Sequence, residues 1–329
     1  MRRYPRIVPV EDDRERPLFS VKITSYNRPQ LLTQTIESVL GQDIAHHKID
    51  IEVIDDCSSS FDFLRFMTNY ASRGVKLYQP PQRCGASAIY TTCVQRARGI
   101  WIHILNDDDL VLPTFYNEYE SFAERFPECV LIAGPVISIN ENGEPRKTIF
   151  NNSQHGRWGI VDRHCERLAV GNFVPFPSVV VRRAAYEAVG GFAPKMRFCF
   201  DWEMWVRIAQ LGPIGLMHEA KAYYRAHSGR ATVAEAITGN SLRESLATIK
   251  LALALLPRHE RLRIRETAFA ELAKNVFGWT QLCVVARRYD TALWYTVWRL
   301  LYDPDVRSIA GFAKLVRAMI SEQNRKVAD

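Results

Sequence analysis

The sequence lacks several features that would assign it to a specialised class of protein. It has seven cysteines among 329 residues, an odd number, and no two of them form a Cys-x-x-Cys pair. Neither a disulfide framework nor a zinc cluster is therefore indicated, and we expect reduced thiols in a cytoplasmic setting. No apolar run reaches the length that spans a bilayer, and the first residues lack the apolar core of a signal peptide.

Long runs of one charge are also missing. Lysine and arginine number 43 against 36 acidic residues, and the resulting net charge of +7 is spread along the chain. That charge suits an anionic small molecule or a lipid surface at least as well as nucleic acid. Because no zinc-finger or RNA-binding signature occurs, we expect no nucleic-acid partner. A hydrophobic fraction of 47% provides ample material for a core.

The most informative stretch is residues 100–113, where an apolar segment is followed by three carboxylates and then a proline. Residues 100–105 are almost all β-branched, aromatic or aliphatic, which is typical of a central parallel strand. Asp107, Asp108 and Asp109 would lie at its carboxyl end, where open α/β sheets bind ligands. Adjacent carboxylates repel one another unless a cation shares the charge, and Mg²⁺ and Mn²⁺ prefer oxygen ligands. The alternative is a solvated acidic turn.

Strand and helix patterns alternate along the first half of the chain. Strands are predicted at 19–24, 49–54, 75–78 and 100–105, with helices at 31–40, 61–70 and 86–97. The second strand also ends in acids, Asp55 and Asp56. This order predicts right-handed crossovers and a mostly parallel sheet with helices on both faces. Residues 1–17 are polar and proline-marked, and we expect a flexible N-terminal tail.

Several short motifs occur at suitable spacings in this framework. They are Thr-Ser-Tyr-Asn-Arg-Pro at 24–29, Ile-Asp-Asp-Cys-Ser-Ser at 54–59, glycines at 85 and 99, and Leu-Asn-Asp-Asp-Asp at 105–109 with Pro113. Their ordered set resembles the nucleotide-sugar half of family 2 glycosyltransferases, of bacterial type. Segments at 176–183, 189–192, 201–207 and 224–227 resemble the acceptor half. The resemblance implies a GT-A catalytic domain over 18–232, with its two halves meeting near residue 113.

The resemblance also implies which residues bind a nucleotide-sugar donor. Asp56 would accept a hydrogen bond from the base, whereas Asp55 beside it has two interpretations, direct contact or a loop cap. Tyr90 either stacks on a base or packs in the core. The full implied donor set is Thr24, Tyr26, Arg28, Asp55, Asp56, Gly85, Tyr90, Asn106, Asp107 and Arg225.

A divalent cation, Mn²⁺ or Mg²⁺, is part of the same expectation. By resemblance, Asp108 ligates the ion that bridges the diphosphate. Asn106 stands where the family's motif has its first acid; its carbonyl can still coordinate, but a charge is lost. His227 would complete the metal shell and Arg225 would hold a phosphate. A structural histidine is the alternative for His227.

The resemblance places the chemistry of the acceptor side on residues 201–207. Asp201 aligns with the family's general base, and Phe200, in place of an acid, is expected to desolvate it. Glu203 is the second candidate for the base. Trp202 and Trp205 would form an acceptor-sugar platform, or else belong to the core.

Beyond residue 232 the pattern changes to helical stripes, which predict an all-helical C-terminal domain over 233–329. Its helices would serve a peripheral membrane contact, a homo-oligomer or packing within the chain. The resemblance therefore predicts an inverting, hexosyltransferase-like, metal-dependent enzyme that acts on a saccharide or lipid-linked acceptor. We expect it to serve the biosynthesis of a polysaccharide, a glycolipid or another glycoconjugate. We expect it to act in the cytoplasm or at the inner face of the membrane. The rivals are a non-catalytic nucleotide-sugar-binding partner of another transferase and a phosphatase, which has no evident nucleophile here.

Overall fold

The structure is a computed structural model that describes residues 4–11, 15–149, 158–226 and 231–302. Its chain divides into two compact units. Within the described ranges, the first unit contains residues up to 164 together with 173–195 and 200–226, and the second contains 165–172, 196–199 and 231–302. The sequence predicted a single boundary at residue 232, whereas the chain enters the second unit three times. Such short excursions have no periodicity of their own from which to predict them.

The first unit is built on a mostly parallel eight-stranded sheet with a smaller four-stranded sheet beside it. The strands are β1 (Phe19–Ser25), β2 (Ile49–Asp55), β3 (Lys76–Tyr78), β4 (Trp101–Asn106), β5 (Leu110–Val111), β6 (Leu131–Ala133), β7 (Val136–Ile139), β8 (Pro145–Ile149), β9 (Gly159–Ile160), β10 (Val180–Arg182), β11 (Ile214–Leu216) and β12 (Ala222–Arg225). The large sheet has the order β3-β2-β1-β4-β10-β6-β11-β9, and the small one β5-β12-β7-β8. The small sheet was not predicted, because its strands are short and pair across long stretches of sequence.

The predicted strands and helices of the first half are confirmed to within a few residues. β1 to β4 pair in parallel, whereas β10 and β9 run antiparallel to their neighbours. Gly99, just before β4, lies so close to β1 that a Cβ atom there would be 2.5 Å from the main-chain nitrogen of Ser20. The glycine is therefore required for β1 and β4 to approach each other.

Eleven α-helices lie in the described part of the chain: α1 (Pro29–Leu40), α2 (Phe63–Ala71), α3 (Ala86–Arg96), α4 (Phe115–Arg125), α5 (His164–Val170), α6 (Arg183–Val189), α7 (Phe200–Ile208), α8 (Ala231–Ile237), α9 (Asn240–Leu255), α10 (Arg261–Val285) and α11 (Tyr289–Tyr302). Proline at the first position of α1 and the Asp62 side chain, which accepts from Arg65 N at the start of α2, fix two of the N-termini. The amphipathic faces of α1 and α2 pack onto the core with Val21, Ile23 and Val53 of the sheet.

The expectation of a flexible tail is wrong for residues 4–8. Ile7 is buried, and the carbonyl oxygens of Pro5 and Val8 accept hydrogen bonds from Gly191 and Arg183. A polar, proline-marked composition is compatible with a segment held by its main chain, because prolines fix an extended backbone whose carbonyl groups remain available as acceptors.

The second unit is helical, as predicted. Pro257 follows α9, and α10 and α11 pack against each other through Phe269, Trp298 and Tyr302. No helix among the described residues is long and apolar enough to cross a membrane. Residues 303–329, the last part of the region for which a membrane contact, a homo-oligomer or packing within the chain was predicted, lie outside the described residues.

His103 in β4 is a buried histidine whose ring nitrogens are both in contact with protein groups. Nε2 is 3.1 Å from the carbonyl oxygen of Pro177 and must donate to it, so Nδ1 accepts from the Tyr116 hydroxyl at 3.0 Å. Burial lowers the pKa of His103 from 6.5 to about 4. The unfolded chain therefore binds a proton at a higher pH than the folded protein does.

We predict that this histidine destabilises the protein as the pH falls from 6.5 towards 4, and not above that range. The difference between the two pKa values corresponds to roughly 3 kcal/mol. In His103→Gln, which hydrogen-bonds but does not titrate, the free energy of unfolding in urea should fall less steeply over that interval than in the wild type. Equal slopes for the two proteins would show that His103 is not the titrating group.

Candidate active site

The carboxyl ends of three neighbouring strands bring the predicted site residues to one edge of the large sheet. β1 lies between β2 and β4, with Ser25 opposite Asp55 and Thr24 opposite Asn106. The acidic loops after β2 and β4 therefore flank the loop after β1, at the place where ligands of open α/β sheets bind.

Asp56 is held in a cradle of main-chain donors. Its Oδ1 accepts from Cys84 N at 2.7 Å, and its Oδ2 accepts from Gly85 N at 3.0 Å. Gly85 has φ +78°, a conformation that favours glycine and aims both N–H groups at the carboxylate. The orientation of Asp56 is thereby fixed before any ligand arrives, as a base-recognition group requires.

Arg83 and Tyr26 also lie beside Asp56. The Arg83 guanidinium lies over the Tyr26 ring at 4.0 Å from its centroid, and its Nε is 3.5 Å from Asp56 Oδ2. Arg83 and Cys84 were not predicted from the sequence, although they directly precede Gly85. Their proximity to Asp56 depends on the pairing of β2 with its neighbours, which no local pattern shows.

Asp55 has the loop-cap arrangement, one of the two interpretations of the sequence. It is fully buried; its Oδ2 accepts from Ser58 N at 2.7 Å and from Gln79 Nε2 at 2.9 Å, while Oδ1 accepts from the Ser58 hydroxyl. Direct contact with a nucleotide is not compatible with this burial. Asp55 instead shapes the loop that presents Asp56.

Asp107 and Asp108 form the anionic centre of the site. Arg28 Nη1 donates to Asp108 Oδ2 at 2.7 Å and lies 3.6 Å from Asp107 Oδ1, while Tyr26 N donates to Asp107 Oδ2 at 3.0 Å. Burial, followed by the nearby charge of Asp108, raises the pKa of Asp107 to about 7. The pair is therefore an electrostatically strained group that a further cation would relieve.

The donor chemistry of this pair fits a hard divalent cation. Among the described residues, no group of three or more histidine, cysteine, aspartate or glutamate side chains is placed to hold a metal ion. Mg²⁺ and similar ions are commonly held by one or two carboxylates together with substrate phosphates, so two acids at a strand end are sufficient for that mode. His227, the other predicted ligand, lies outside the described residues.

Asn106 is hydrogen-bonded within the protein, and its coordination of a cation stays a prediction. Its Oδ1 accepts from the Tyr90 hydroxyl at 2.7 Å and lies 3.4 Å from Thr24 Oγ1, while its Nδ2 donates to Asp109 Oδ2 at 3.2 Å. Tyr90 is correspondingly not a base-stacking residue. Its ring packs against Phe200 at 4.9 Å, and against Phe176 and Phe192.

Arg225 also departs from its predicted role in holding a phosphate. It is buried, and all three guanidinium nitrogens donate to protein oxygens: Nε to Asp108 O at 2.9 Å, Nη1 to Glu141 O at 3.0 Å and Nη2 to Gln34 Oε1 at 2.8 Å. Its main-chain nitrogen donates to Asp109 Oδ1. Arg225 therefore braces the acidic loop from behind, and Asp109 is a structural acceptor.

The two candidate bases both lie on α7 but have different environments. Asp201 is half-buried in its first turn, where the helix dipole favours a carboxylate, and its Oδ1 accepts from Trp202 N at 2.7 Å. Glu203 is completely buried and accepts three bonds from Arg207 and one from the Tyr4 hydroxyl. A base so enclosed cannot reach an acceptor hydroxyl, so the second candidate is wrong.

The tryptophans of α7 belong to the core rather than to a sugar platform. Trp205 is completely buried and packs near Phe176, and Trp202 is 7% exposed. Their spacing along the sequence gave no way to distinguish a platform from a core, because α7 is buried nearly all round.

This mostly parallel sheet with acidic strand ends, joined to a helical extension, is a GT-A fold. The profile of Glycosyl transferase family 2 matches residues 20–190, more than half of the chain. The chain belongs to that family.

Relatives of known sequence extend the similarity beyond the matched segment. The chain is 26% identical over 214 residues to an uncharacterized protein of Mycobacterium tuberculosis, covering 64% of this chain but only 59% of that protein. It is 24% identical over 245 residues to the amylovoran biosynthesis glycosyltransferase AmsE of Erwinia amylovora, covering 72% of this chain and 86% of AmsE.

Two solved structures share the fold. S. aureus TarS 1-349 in complex with UDP is similar with a TM-score of 0.61 and 14% identity, covering 94% of this chain and 91% of that one. The mannosyltransferase PcManGT of Pyrobaculum calidifontis, in complex with GDP-Man and Mn²⁺, is similar with a TM-score of 0.53 and 15% identity, covering 95% and 88%.

The contacts of Asn106 predict that an aspartate at this position destabilises the protein. In Asn106→Asp a carboxylate would face Asp109 Oδ2 at the present 3.2 Å, so the stability at neutral pH should fall by about 1–3 kcal/mol. The loss should shrink below pH 5, where one carboxyl takes up a proton. Urea unfolding at both pH values measures this loss of stability, with the exposed Asn142→Asp as the control. An undiminished stability at neutral pH would contradict the contact between Asn106 Nδ2 and Asp109.

Proposed function

We propose that this protein is an inverting, metal-dependent glycosyltransferase that moves a hexosyl group from a nucleotide-diphosphate sugar to an acceptor hydroxyl. The observation that carries the proposal is the convergence of Asp56, held by main-chain N–H groups, and the Asp107–Asp108 pair at the carboxyl ends of β2 and β4, on either side of β1. A nucleoside diphosphate offers N–H groups to the first and needs charge neutralisation beside the second.

On the donor side, each group has a separate task. Asp56 accepts from an N–H at the edge of the nucleotide base, and the Tyr26 and Arg83 pair would meet the face of the base. Asp108 ligates a divalent cation, Mn²⁺ or Mg²⁺, which when bound neutralises charge on the diphosphate leaving group. Arg28, half-exposed beside Asp108, supplies a second positive charge on that side. Thr24 supports the arrangement through Asn106.

On the acceptor side, Asp201 is the proposed general base. Inversion requires that the acceptor hydroxyl attack the face of the anomeric carbon opposite the departing diphosphate, so its proton must go to a group other than those that bind the donor. Asp201 is a half-buried carboxylate on α7, whereas the donor-binding acids follow β2 and β4. Its position in the first turn of α7 keeps it oriented.

The relatives support the class of substrate. AmsE is named for amylovoran biosynthesis, TarS was solved with UDP, and PcManGT with GDP-Man and Mn²⁺. We therefore propose a nucleotide-diphosphate sugar as donor, a saccharide or lipid-linked acceptor, and a role in polysaccharide or other glycoconjugate biosynthesis. All seven cysteines are free thiols, which supports a reducing, cytoplasmic setting.

A non-catalytic nucleotide-sugar-binding protein is the second candidate. The observation that favours it concerns Asn106, which has no charge where the family's motif has an acid. Its amide is also hydrogen-bonded to Tyr90 and Asp109. A panel of UDP-, GDP- and TDP-sugars with Mn²⁺ or Mg²⁺ separates the two. Metal-dependent release of nucleotide supports the enzyme, whereas tight donor binding without turnover in the presence of acceptors supports the binding protein.

We predict that Asp108→Asn lowers donor affinity in the presence of Mn²⁺ by at least about tenfold, because the cation would lose one charged ligand. In the absence of metal the variant should bind donor about as well as the wild type. Calorimetric titration with the donor that the panel selects measures both. The exposed Asp43→Asn is the control, and an unchanged metal-dependent affinity would exclude Asp108 as a ligand.

Asp201→Asn should reduce turnover by about a hundred- to ten-thousand-fold, because the amide keeps the size of the side chain but not its basicity. Donor affinity should change little, since the proposed donor contacts lie in the loops after β1, β2 and β4. The exposed Asp162→Asn removes an equal charge and should have no effect. Normal turnover in Asp201→Asn would remove this residue from the chemistry.

A further inference from the structure

The buried acid Glu203 and the first residues of the chain form one network that the catalytic groups do not use. The Tyr4 hydroxyl donates to Glu203 Oε1 at 2.6 Å, and the Tyr4 ring lies 3.8 Å from the Arg207 guanidinium carbon. Arg207 Nε is 3.1 Å from both Glu203 oxygens, and its Nη2 donates to Oε2 at 3.0 Å. Glu203 and Arg207 lie one turn apart on α7, and Tyr4 covers them both.

Arg207 and Pro5 are both hydrogen-bonded to the chain at the end of α6 and just after it. Arg207 Nη1 and Nη2 donate to the carbonyl oxygens of Val189 and Gly191, each at 2.9 Å. Gly191 N in turn donates to Pro5 O at 2.7 Å. A Cβ atom on Gly190, which has φ +84°, would be 2.9 Å from Pro5 O, so this position has no room for a side chain.

The segment also reaches the start of α6. Arg183 Nη2 donates to Val8 O at 2.7 Å, and the Ile7 side chain between these contacts is buried. Residues 4–8 are therefore attached to α6, to the connection after it and to α7. We call them the N-terminal clamp.

We propose that the N-terminal clamp positions α7, and through it Asp201, so that Tyr4 and Glu203 are positioning residues for the transfer reaction; this rests on the proposed function. Glu203 lies two residues after Asp201 on the same short helix. A helix is rigid over this span, so the rotation of α7 set at Glu203 and Arg207 also sets the direction of the Asp201 carboxylate.

The size of the effect follows from helix geometry. A side-chain atom roughly 5 Å from the helix axis moves by about 1 Å when the helix rotates by roughly 10°. A misplacement of that size can reduce a catalytic rate by up to about a hundredfold. A buried charge pair with hydrogen bonds on all sides resists such a rotation, because any movement leaves a buried charge incompletely satisfied.

The test uses two matched pairs of variants in the full chain. Tyr4→Phe removes the hydroxyl but keeps the ring, and Tyr295→Phe in the helical unit loses a hydroxyl that donates at the same 2.6 Å distance, to Ala236 O. Gly190→Ala displaces Pro5, and Gly74→Ala introduces a side chain at a similar φ of +81° with no atom within 4 Å. Each control carries the local perturbation without touching the clamp.

We expect Tyr4→Phe and Gly190→Ala to speed amide hydrogen exchange across residues 202–208 and to lower kcat by about tenfold, with the donor dissociation constant within about twofold of wild type. Both controls should match the wild type in kcat and in exchange at α7. Unchanged exchange at α7, or faster exchange with an unchanged kcat, overturns the proposal. If the wild-type protein turns over no donor, the proposed function fails, while exchange alone still decides whether the clamp holds α7.

Discussion

The site depends on the burial of five carboxylates at the ends of two strands separated by one other. Asp55, Asp56, Asp107, Asp108 and Asp109 are all less than 9% exposed, although like charges at such distances oppose one another and burial disfavours each of them. Each is stabilised by donors that the fold brings to it. Main-chain N–H groups, a hydroxyl and side-chain amides hold the structural acids Asp55 and Asp109, whereas Asp108 pairs with a half-exposed arginine.

This division has an energetic consequence. Asp109 and Asp55 have their oxygens occupied by Arg225 N, Asn106, Ser58 and Gln79, so removing either acid would leave several buried donors unsatisfied. The raised pKa of Asp107 marks the place where protein donors are insufficient for the charge. An added cation would contribute most there, which is why the proposed metal belongs at this strand end rather than beside Asp55.

A similar distinction applies to α7, where two acids in one helix have opposite environments. Glu203 is enclosed by Arg207 and Tyr4 and has no access to a substrate, whereas Asp201 is half-buried at the helix start. Because a carboxylate cannot both be locked in a buried pair and accept a proton from an acceptor, the burial of Glu203 supports Asp201 as the base. The adjacent Phe200 ring stacks on Tyr90 and joins α7 to the aromatic core near Asn106.

Much of the site could be predicted from the sequence because it depends on strand ends. The run before Asn106 is almost wholly apolar, and the run before Asp55 alternates apolar residues with acids. Both patterns predict strands, and strands joined through helices run parallel in one sheet, so their acidic ends lie at the same edge. The family's motifs added the assignments of Asp56, Asp108 and Asp201. Asp55 and Tyr90 each retained two interpretations, since a loop cap and a ligand contact, or a core ring and a stacking ring, use the same residue types.

The sequence by itself determined the first four parallel strands, the order of the first elements and the helical character of the second unit, since hydrophobic periodicity acts locally and can be followed along the chain. The GT-A fold was implied by the resemblance of the motifs. Only the tertiary structure decided which partners the individual polar groups bind. Arg225 meets Gln34 and Glu141, and Tyr4 meets Glu203 across 199 positions, through contacts that no local pattern encodes. Whether an arginine binds a phosphate or a carbonyl depends on which acceptors folding brings within about 3 Å of it, because a hydrogen bond is a short-range interaction.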